Sequence, residues 1–274
     1  MNWPAEAIWE AVAPTLPGFT VEVLPSIDST NTELMRRARA GQTEPVLLVA
    51  ETQSAGRGRL GRAWQGATAT DVGATLTFSL GLPLQMADWS GLSLAVGVSV
   101  VQSLHPDLQL KWPNDVWLHD RKLAGILIET ANNVPTQPTE GAAVALGRPG
   151  GDGIGAMRYA VIGVGINIAP RTATGLATPP AWLQELEPGL DAPAALLRVA
   201  PPLVQAVQRF EAQGFAPFRA AFLQRDALAG RHVSLSDGTQ GLAQGVDGSG
   251  ALLVHTSAGL TRVSSAEVSV RPST

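Results

Sequence analysis

The sequence predicts an α+β fold followed by a small C-terminal β-barrel, and three observations predict it. Helical and strand-like segments are interspersed through residues 1–226. Two strand segments, Lys122 to Thr130 and Tyr159 to Ile168, are nearly continuous in apolar residues, which places them centrally or buries both faces. From Arg231 the pattern changes to short alternating strands with turns at Asp237-Gly238, Asp247-Gly248 and Ala258-Gly259. The domain division expected is therefore 1–226 and 227–274.

The elements follow in order. Pro4 to Val12 has helical spacing, with Ile8, Trp9 and Val12 on one side. Phe19 to Leu24 reads as a strand. Thr30 and Glu33 have capping-box spacing, and Leu34, Met35 and Ala38 form a helix face that Gly41 stops. Val46 to Glu51 is an apolar strand. Ala74 to Leu80 is another, with Leu76, Phe78 and Leu80 alternating. Trp89 to Leu104 is an apolar-faced helix ended by His105-Pro106. Leu108 to Trp112 and Val116 to Leu118 are short strands around Pro113-Asn114-Asp115. Asn132 to Met157, rich in Pro, Gly, Thr and Ala, reads as a mobile hairpin insert. Thr172 to Pro193 is irregular. Ala194 to Gln213 and Phe215 to Arg225 read as helices.

Composition narrows the chemistry. The chain has 274 residues, 45% hydrophobic and 15% charged, a globular composition. A net charge of −4 argues against bulk nucleic-acid binding. With no cysteine, thiol nucleophiles, disulfides and thiolate metal sites are excluded. The N-terminus lacks the pattern of a signal peptide, and no apolar run approaches the roughly 18 residues of a membrane span, so a cytoplasmic location is expected. Of 19 basic residues only Lys111 and Lys122 are lysine, which suggests that a compact ammonium is needed at each place.

The densest motif is Gly56-Arg57-Gly58-Arg59-Leu60-Gly61-Arg62-Ala63-Trp64. Glycine lets the backbone approach a ligand closely, and arginine offers a planar fork of donors for carboxylates and phosphates. The loop is shaped to enclose an anion. Its Gly-x-Gly-x-x-Gly spacing matches the dinucleotide fingerprint, but no helical pattern follows in Gln65 to Gly73 and no acidic residue ends the next strand. Ser29-Thr30-Asn31 reads as a helix cap that could also meet a polar head group. Lys111-Trp112-Pro113-Asn114-Asp115 reads as a β-turn or as a site edge, with Asn114 orienting a ligand and Asp115 acting on a proton or cation. Gly163-Val164-Gly165-Ile166-Asn167 places two glycines in an apolar strand, a mark of close approach. The four histidines have no metal-ligand spacing, and no metal ligands are assigned.

Together these segments, with Gln53-Ser54-Ala55 before the loop and Arg121-Lys122-Leu123-Ala124-Gly125-Ile126-Leu127-Ile128-Glu129, resemble the biotin–protein ligase family over about residues 25 to 170. The resemblance implies a mixed β-sheet with flanking helices, class II synthetase-like, and an SH3-like C-terminal barrel. It implies activation of biotin by ATP to biotinyl-5′-AMP, with Mg²⁺, then transfer to a lysine of the biotin carboxyl carrier protein of acetyl-CoA carboxylase. Lys122, Arg59 and Asp115 would be catalytic. Ser29, Thr30, Asn31, Gln53, Arg57, Gly58, Arg59 and Lys122 would bind biotin. Arg62, Trp64, Lys111, Asn114 and Asn167 would bind ATP. Members of the family are often dimers or monomer–dimer systems, so the resemblance leaves the oligomeric state open, with a homodimer on a sheet edge of the larger domain as one outcome. The segment before residue 25 is too short for the winged helix-turn-helix that some members carry, so DNA binding is not expected. Leu60 stands where some relatives have a basic residue. Lipoyl–protein ligase, a non-catalytic module sensing biotin or its adenylate, and a dinucleotide-dependent oxidoreductase are the competing readings.

Overall fold

A computed structural model describes residues 1–132, 155–171, 175, 178–264 and 270–272. A seven-stranded mixed sheet organises the larger domain. Its strands are β1 (Thr20–Ile27), β2 (Val46–Gln53), β3 (Thr75–Gln85), β4 (Gln109–Lys111), β5 (Asp115–Leu118), β6 (Arg121–Ala131) and β7 (Met157–Asn167). Their order is β1-β2-β3-β7-β6-β5-β4, with β1 and β2 parallel and the other neighbours antiparallel.

Alternation along the strands sorts side chains onto two faces. On β2, Leu47 and Val49 join the large core, while Val46 and Leu48 pack in a smaller cluster with Leu34, Met35 and Ala38 of α2 (Thr30–Arg39). The large core lies under α3 (Leu92–Leu104) and α4 (Ala192–Gln213), with Ile8 and Val12 of α1 (Ala5–Val12) at its edge. The α2 face differs at one end. There β3 presents Thr75, Thr77 and Ser79, β7 presents Gly163 and Gly165, and β6 presents Gly125, Leu127 and Glu129. Small and polar residues replace the expected apolar cover, and the site forms in the space they leave.

The second domain is a five-stranded antiparallel sheet of β8 (His232–Leu235), β9 (Gln240–Val246), β10 (Leu252–Thr256), β11 (Gly259–Val263) and β12 (Val270–Pro272), in the order β11-β10-β9-β8-β12. It is anchored to the first by Trp112, fully buried, whose indole donates to the Gly250 carbonyl at 3.0 Å.

Several expectations are corrected. The cap of α2 is Ser29, whose hydroxyl accepts the Thr32 amide at 3.4 Å, rather than Thr30. A continuous helix over Phe215 to Arg225 is not formed. A 3₁₀ turn at Ala216–Phe218 leads into the single short helix α5 (Arg219–Leu223). The helix after the irregular region begins earlier than Ala194, at Ala192, where Asp191 caps the Ala194 amide. The insert expected at Asn132 to Met157 lies mostly outside the described residues. Among the described residues, no helix is long and apolar enough to cross a membrane.

Candidate functional site

Every residue assigned from the sequence lines one cleft of about 230 Å³ on the α2 face of the sheet. The Gly/Arg loop forms its outer wall. The loop closes on itself at its base, where the Trp64 amide donates to the Gly56 carbonyl at 2.9 Å and the Gly58 amide to the Arg62 carbonyl at 2.7 Å. At its tip Leu60 and Gly61 both take positive φ, 55° and 70°. Glycine meets that turn without strain, whereas Leu60 does so at a cost and stands 55% exposed.

One end of the cleft is a buried neutral network. The Thr30 amide donates to Gln53 Oε1 at 2.8 Å. The Ser79 hydroxyl lies 2.6 Å from Asn31 Oδ1 and 2.7 Å from Thr30 Oγ1. Asn31 Nδ2 donates to Glu129 Oε2 at 3.0 Å and the Leu127 carbonyl at 3.3 Å. Helix α2 delivers Thr30 and Asn31 at its first turn, and Gly163 opposite makes the room. A Cβ at residue 163 would stand 2.9 Å from Asn31 Cγ.

The floor of the other end is the Trp64 indole, lying against Gly165 of β7 and near Gly125 of β6, which are register partners. Lys122 Nζ lies 6.0 Å over this ring and 2.7 Å from Asp115 Oδ1. Lys111 reaches Asp115 Oδ2 at 3.9 Å and stands 5.3 Å from the Trp117 ring centroid. Asp115 thus sits between the two lysines of the chain. Burial pulls the Lys111 ammonium below its usual pKa, and the neighbouring Asp115 opposes that only in part. Asn114, in the turn between β4 and β5, is held by β6, donating from Nδ2 to the Ile126 carbonyl at 2.8 Å, and its Oδ1 accepts from Arg59 at 3.4 Å. Burial also lowers the Arg59 guanidinium from its ordinary value. Asn167 donates to the Lys122 carbonyl at 3.2 Å and keeps a buried Oδ1 with no hydrogen-bond partner.

Arg57, Arg59, Arg62, Lys111, Lys122, Arg171 and Arg271 line the cleft, against Asp115 as its one lining carboxylate among the described residues. In a chain of net charge −4 this is a strong local concentration of cations, suited to several anionic groups held at once.

The sequence and the fold have known counterparts. Residues 23–142 match the Biotin/lipoate A/B protein ligase family, and residues 229–271 match the Biotin protein ligase C terminal domain. The chain is 33% identical over 267 residues to Bifunctional ligase/repressor BirA of Escherichia coli (strain K12), covering 93% of this chain and 75% of BirA. It is 32% identical over 257 residues to the Biotin--[acetyl-CoA-carboxylase] ligase of Paracoccus denitrificans, covering 90% of this chain and 98% of that one. The chain belongs to the biotin protein ligase family. Its fold is similar to that of the Aquifex aeolicus biotin protein ligase in complex with biotin and ATP, with a TM-score of 0.71, 26% identity, and coverage of 92% and 99% of the two chains.

For a biotin protein ligase, the cleft contains residues that sequence motifs did not single out. Thr77 of β3 lines it, and Ser79, fully buried behind the lining, bonds Thr30 and Asn31; on this strand the polar set Thr75, Thr77, Ser79 alternates with Leu76, Phe78, Leu80. That alternation was a readable signal, since a strand buried on both faces has no need of three hydroxyls in register. Arg171 lies just past β7 and donates to the Gln65 carbonyl. Arg271 comes from β12, in the second domain, and no local pattern marks it. Trp112 is the converse case. It sits inside the Lys-Trp-Pro-Asn-Asp motif but serves the domain junction rather than the cleft.

Proposed function

We propose that this chain is an ATP-dependent biotin–protein ligase that forms biotinyl-5′-AMP and passes biotin to a lysine of a biotin carboxyl carrier protein. The carrying observation is the cleft's division into a buried neutral hydrogen-bonding end and a cationic end. Biotin has the same division, a ureido ring with both donors and acceptors at one end and a carboxylate at the other. Thr30, Asn31, Ser79 and Gln53 can answer the ring. Lys122, Arg59 and Arg62 can answer the carboxylate and the phosphates it must approach. A dithiolane ring has no donor or acceptor to offer these side chains, whereas the ureido group has both, which favours biotin over lipoate.

In the first step a biotin carboxylate oxygen attacks the α-phosphorus of ATP, and pyrophosphate leaves with the electrons of the broken P–O bond. Two anions must meet, and Lys122 stands where a compact cation can touch both. Preorganised charge of this kind contributes roughly 3–4 kcal/mol per donor in the transition state. Trp64 offers an aromatic ring within the cleft for a purine to stack on, with the Asn167 Oδ1 as a buried acceptor that has no partner. In the second step the carrier's lysine amine attacks the acyl carbon, the bond to AMP breaks, and the amine loses a proton. Asp115 is the carboxylate that would orient or deprotonate that amine.

Among the described residues no group of three or more His, Cys, Asp or Glu could hold a metal ion. Asp115 is already engaged by Lys122. The donor set therefore suits Mg²⁺ carried on the triphosphate, where it offsets phosphate charge, and not a resident metal cage. A cytoplasmic setting and a homodimer formed on a sheet edge complete the reading.

Biotin-dependent exchange of labelled pyrophosphate into ATP, followed by transfer to a purified carrier domain, tests this function. Exchange supported by lipoate in place of biotin would assign a lipoyl ligase. Biotin binding without exchange would assign a sensor.

A further inference from the structure

The Gly/Arg loop is tied to the rest of the cleft through its arginines, and the two ties differ in kind. Arg59 reaches the neutral Asn114 side chain at 3.4 Å. Arg57 turns to Glu129 with both fork nitrogens, Nη2 to Oε1 at 3.0 Å and Nη1 to Oε2 at 3.3 Å, and its Nη1 also lies 3.5 Å from Thr32 Oγ1. Both nitrogens of the fork are engaged by one carboxylate. The sequence assigned Arg57 to the loop that closes over the ligand, and in this structure its side chain pairs with Glu129.

Glu129 backs the network of neutral side chains as its one charged member. It shares the cleft-facing side of β6 with Gly125 and Leu127, and its Oε2 accepts from Asn31 Nδ2 at 3.0 Å. One carboxylate therefore touches the outer wall through Arg57 and the inner end through Asn31. We propose that Glu129 is a positioning residue that latches the Gly/Arg loop through Arg57 and so links closure of the loop to occupancy of the Asn31 end. Arg57 acts on Glu129, and the anions are left to Arg59 and Lys122. A ligand that engages Asn31 bears on the carboxylate that accepts from both Asn31 and Arg57, and the loop closes more firmly on it.

The inference rests on the biotin-ligase reading for its kinetic consequence but not for the latch itself, and two measurements separate them. The first needs no substrate. Thermolysin cuts before leucine only where the backbone can extend into its cleft, so cleavage of the Arg59–Leu60 bond, held in a tight positive-φ turn here, reports loop opening. Glu129→Gln and Arg57→Met should each speed this cleavage about fivefold, the scale of a partly exposed ion pair. The double variant should be no faster than either alone, because a severed latch cannot be severed again.

The second is biotin-dependent pyrophosphate exchange. Glu129→Gln should raise KM for biotin while leaving kcat near the wild-type value, and Arg57→Met should match it. Additive effects of the two substitutions in either assay would overturn the latch, since Glu129 would then be acting through Asn31 alone. Loop cleavage in Glu129→Gln at the wild-type rate would overturn it as well. A wild-type chain with no biotin-dependent exchange would instead remove the function, leaving the cleavage result to stand on its own.

Discussion

Gly165 lies directly beneath the Trp64 indole: a Cβ at residue 165 would stand 2.6 Å from Cζ2 and 2.9 Å from Nε1. Gly163, two residues earlier on the same face of β7, stands in the same relation to Asn31. The two glycines thus serve opposite ends of the cleft. Gly165→Ala should displace Trp64 and raise KM for ATP by about a hundredfold, the cost of misplacing a site group by an ångström, with biotin binding largely kept. Gly163→Ala should do the reverse. Titration of each variant with biotin and with ATP checks the pairing, and loss of the same ligand in both variants would refute it.

Lys122→Arg keeps the charge but changes its shape. The ammonium sits 2.7 Å from Asp115, and the position of a Cβ on Gly125 is only 3.2 Å from Nζ. A planar guanidinium does not fit that gap without moving Trp64 or Asp115. Biotinyl-adenylate formation should fall about a hundredfold. Near-normal pyrophosphate exchange in the variant would show that only the charge matters.

Trp112→Phe should remove the indole bond to Gly250 and leave a buried carbonyl unpaired, at a cost of about 2 kcal/mol. The loss should appear as a lower Tm with biotin affinity intact, because Trp112 faces the domain junction. Unchanged melting with weakened biotin binding would place Trp112 in the site after all.

Asp226 gives a pH dependence. It is buried beside β4, its Oδ1 accepts the Leu228 amide at 2.9 Å, and its Oδ2 has no hydrogen-bond partner. Burial pushes its carboxyl up from 3.8 to about 6. An acid with a folded pKa above its unfolded one binds its proton more tightly in the native state. Its charge therefore costs stability in full above about pH 6, and the cost fades as pH falls from about 6 toward the unfolded value of 3.8, below which it is gone. Asp226→Asn should gain on the wild type between pH 4 and pH 8, by up to about 3 kcal/mol. Denaturant unfolding at both pH values measures the gain, and a difference that does not change with pH would rule out the titration.

The local devices of this fold were legible, and the long-range ones were not. Alternation along β3 and the helix face of Leu34, Met35 and Ala38 are written in neighbouring residues, so those elements could be placed. The cap fell one residue from its expected position because Ser29 and Thr30 are both good caps, and the choice depends on Thr30 being drawn to Gln53, a contact across 23 positions. The helix over Phe215 to Arg225 broke because Pro217 has no amide to donate and disfavours the α conformation in the residue before it, so the segment opens as a 3₁₀ turn although Phe215, Phe218 and Phe222 keep a helical face in the core. For the site, residue types were readable but their partners were not. That Arg57 meets Glu129, or that Asp115 stands between Lys111 and Lys122, follows from how β5, β6 and β7 are stacked in register, which no short window contains.

Arg271 comes from β12, whereas Ser29 precedes the first turn of α2, so the walls of one cleft are drawn from nearly the whole length of the polypeptide. The hydrophobic core is continuous in the same way, with Val246, Leu252, Val254 and Val270 packed into one cluster with the seven-stranded sheet. A ligand that bridges Arg271 and the Asn31 end therefore couples the two sheets mechanically, and strain applied to either is felt at the cleft.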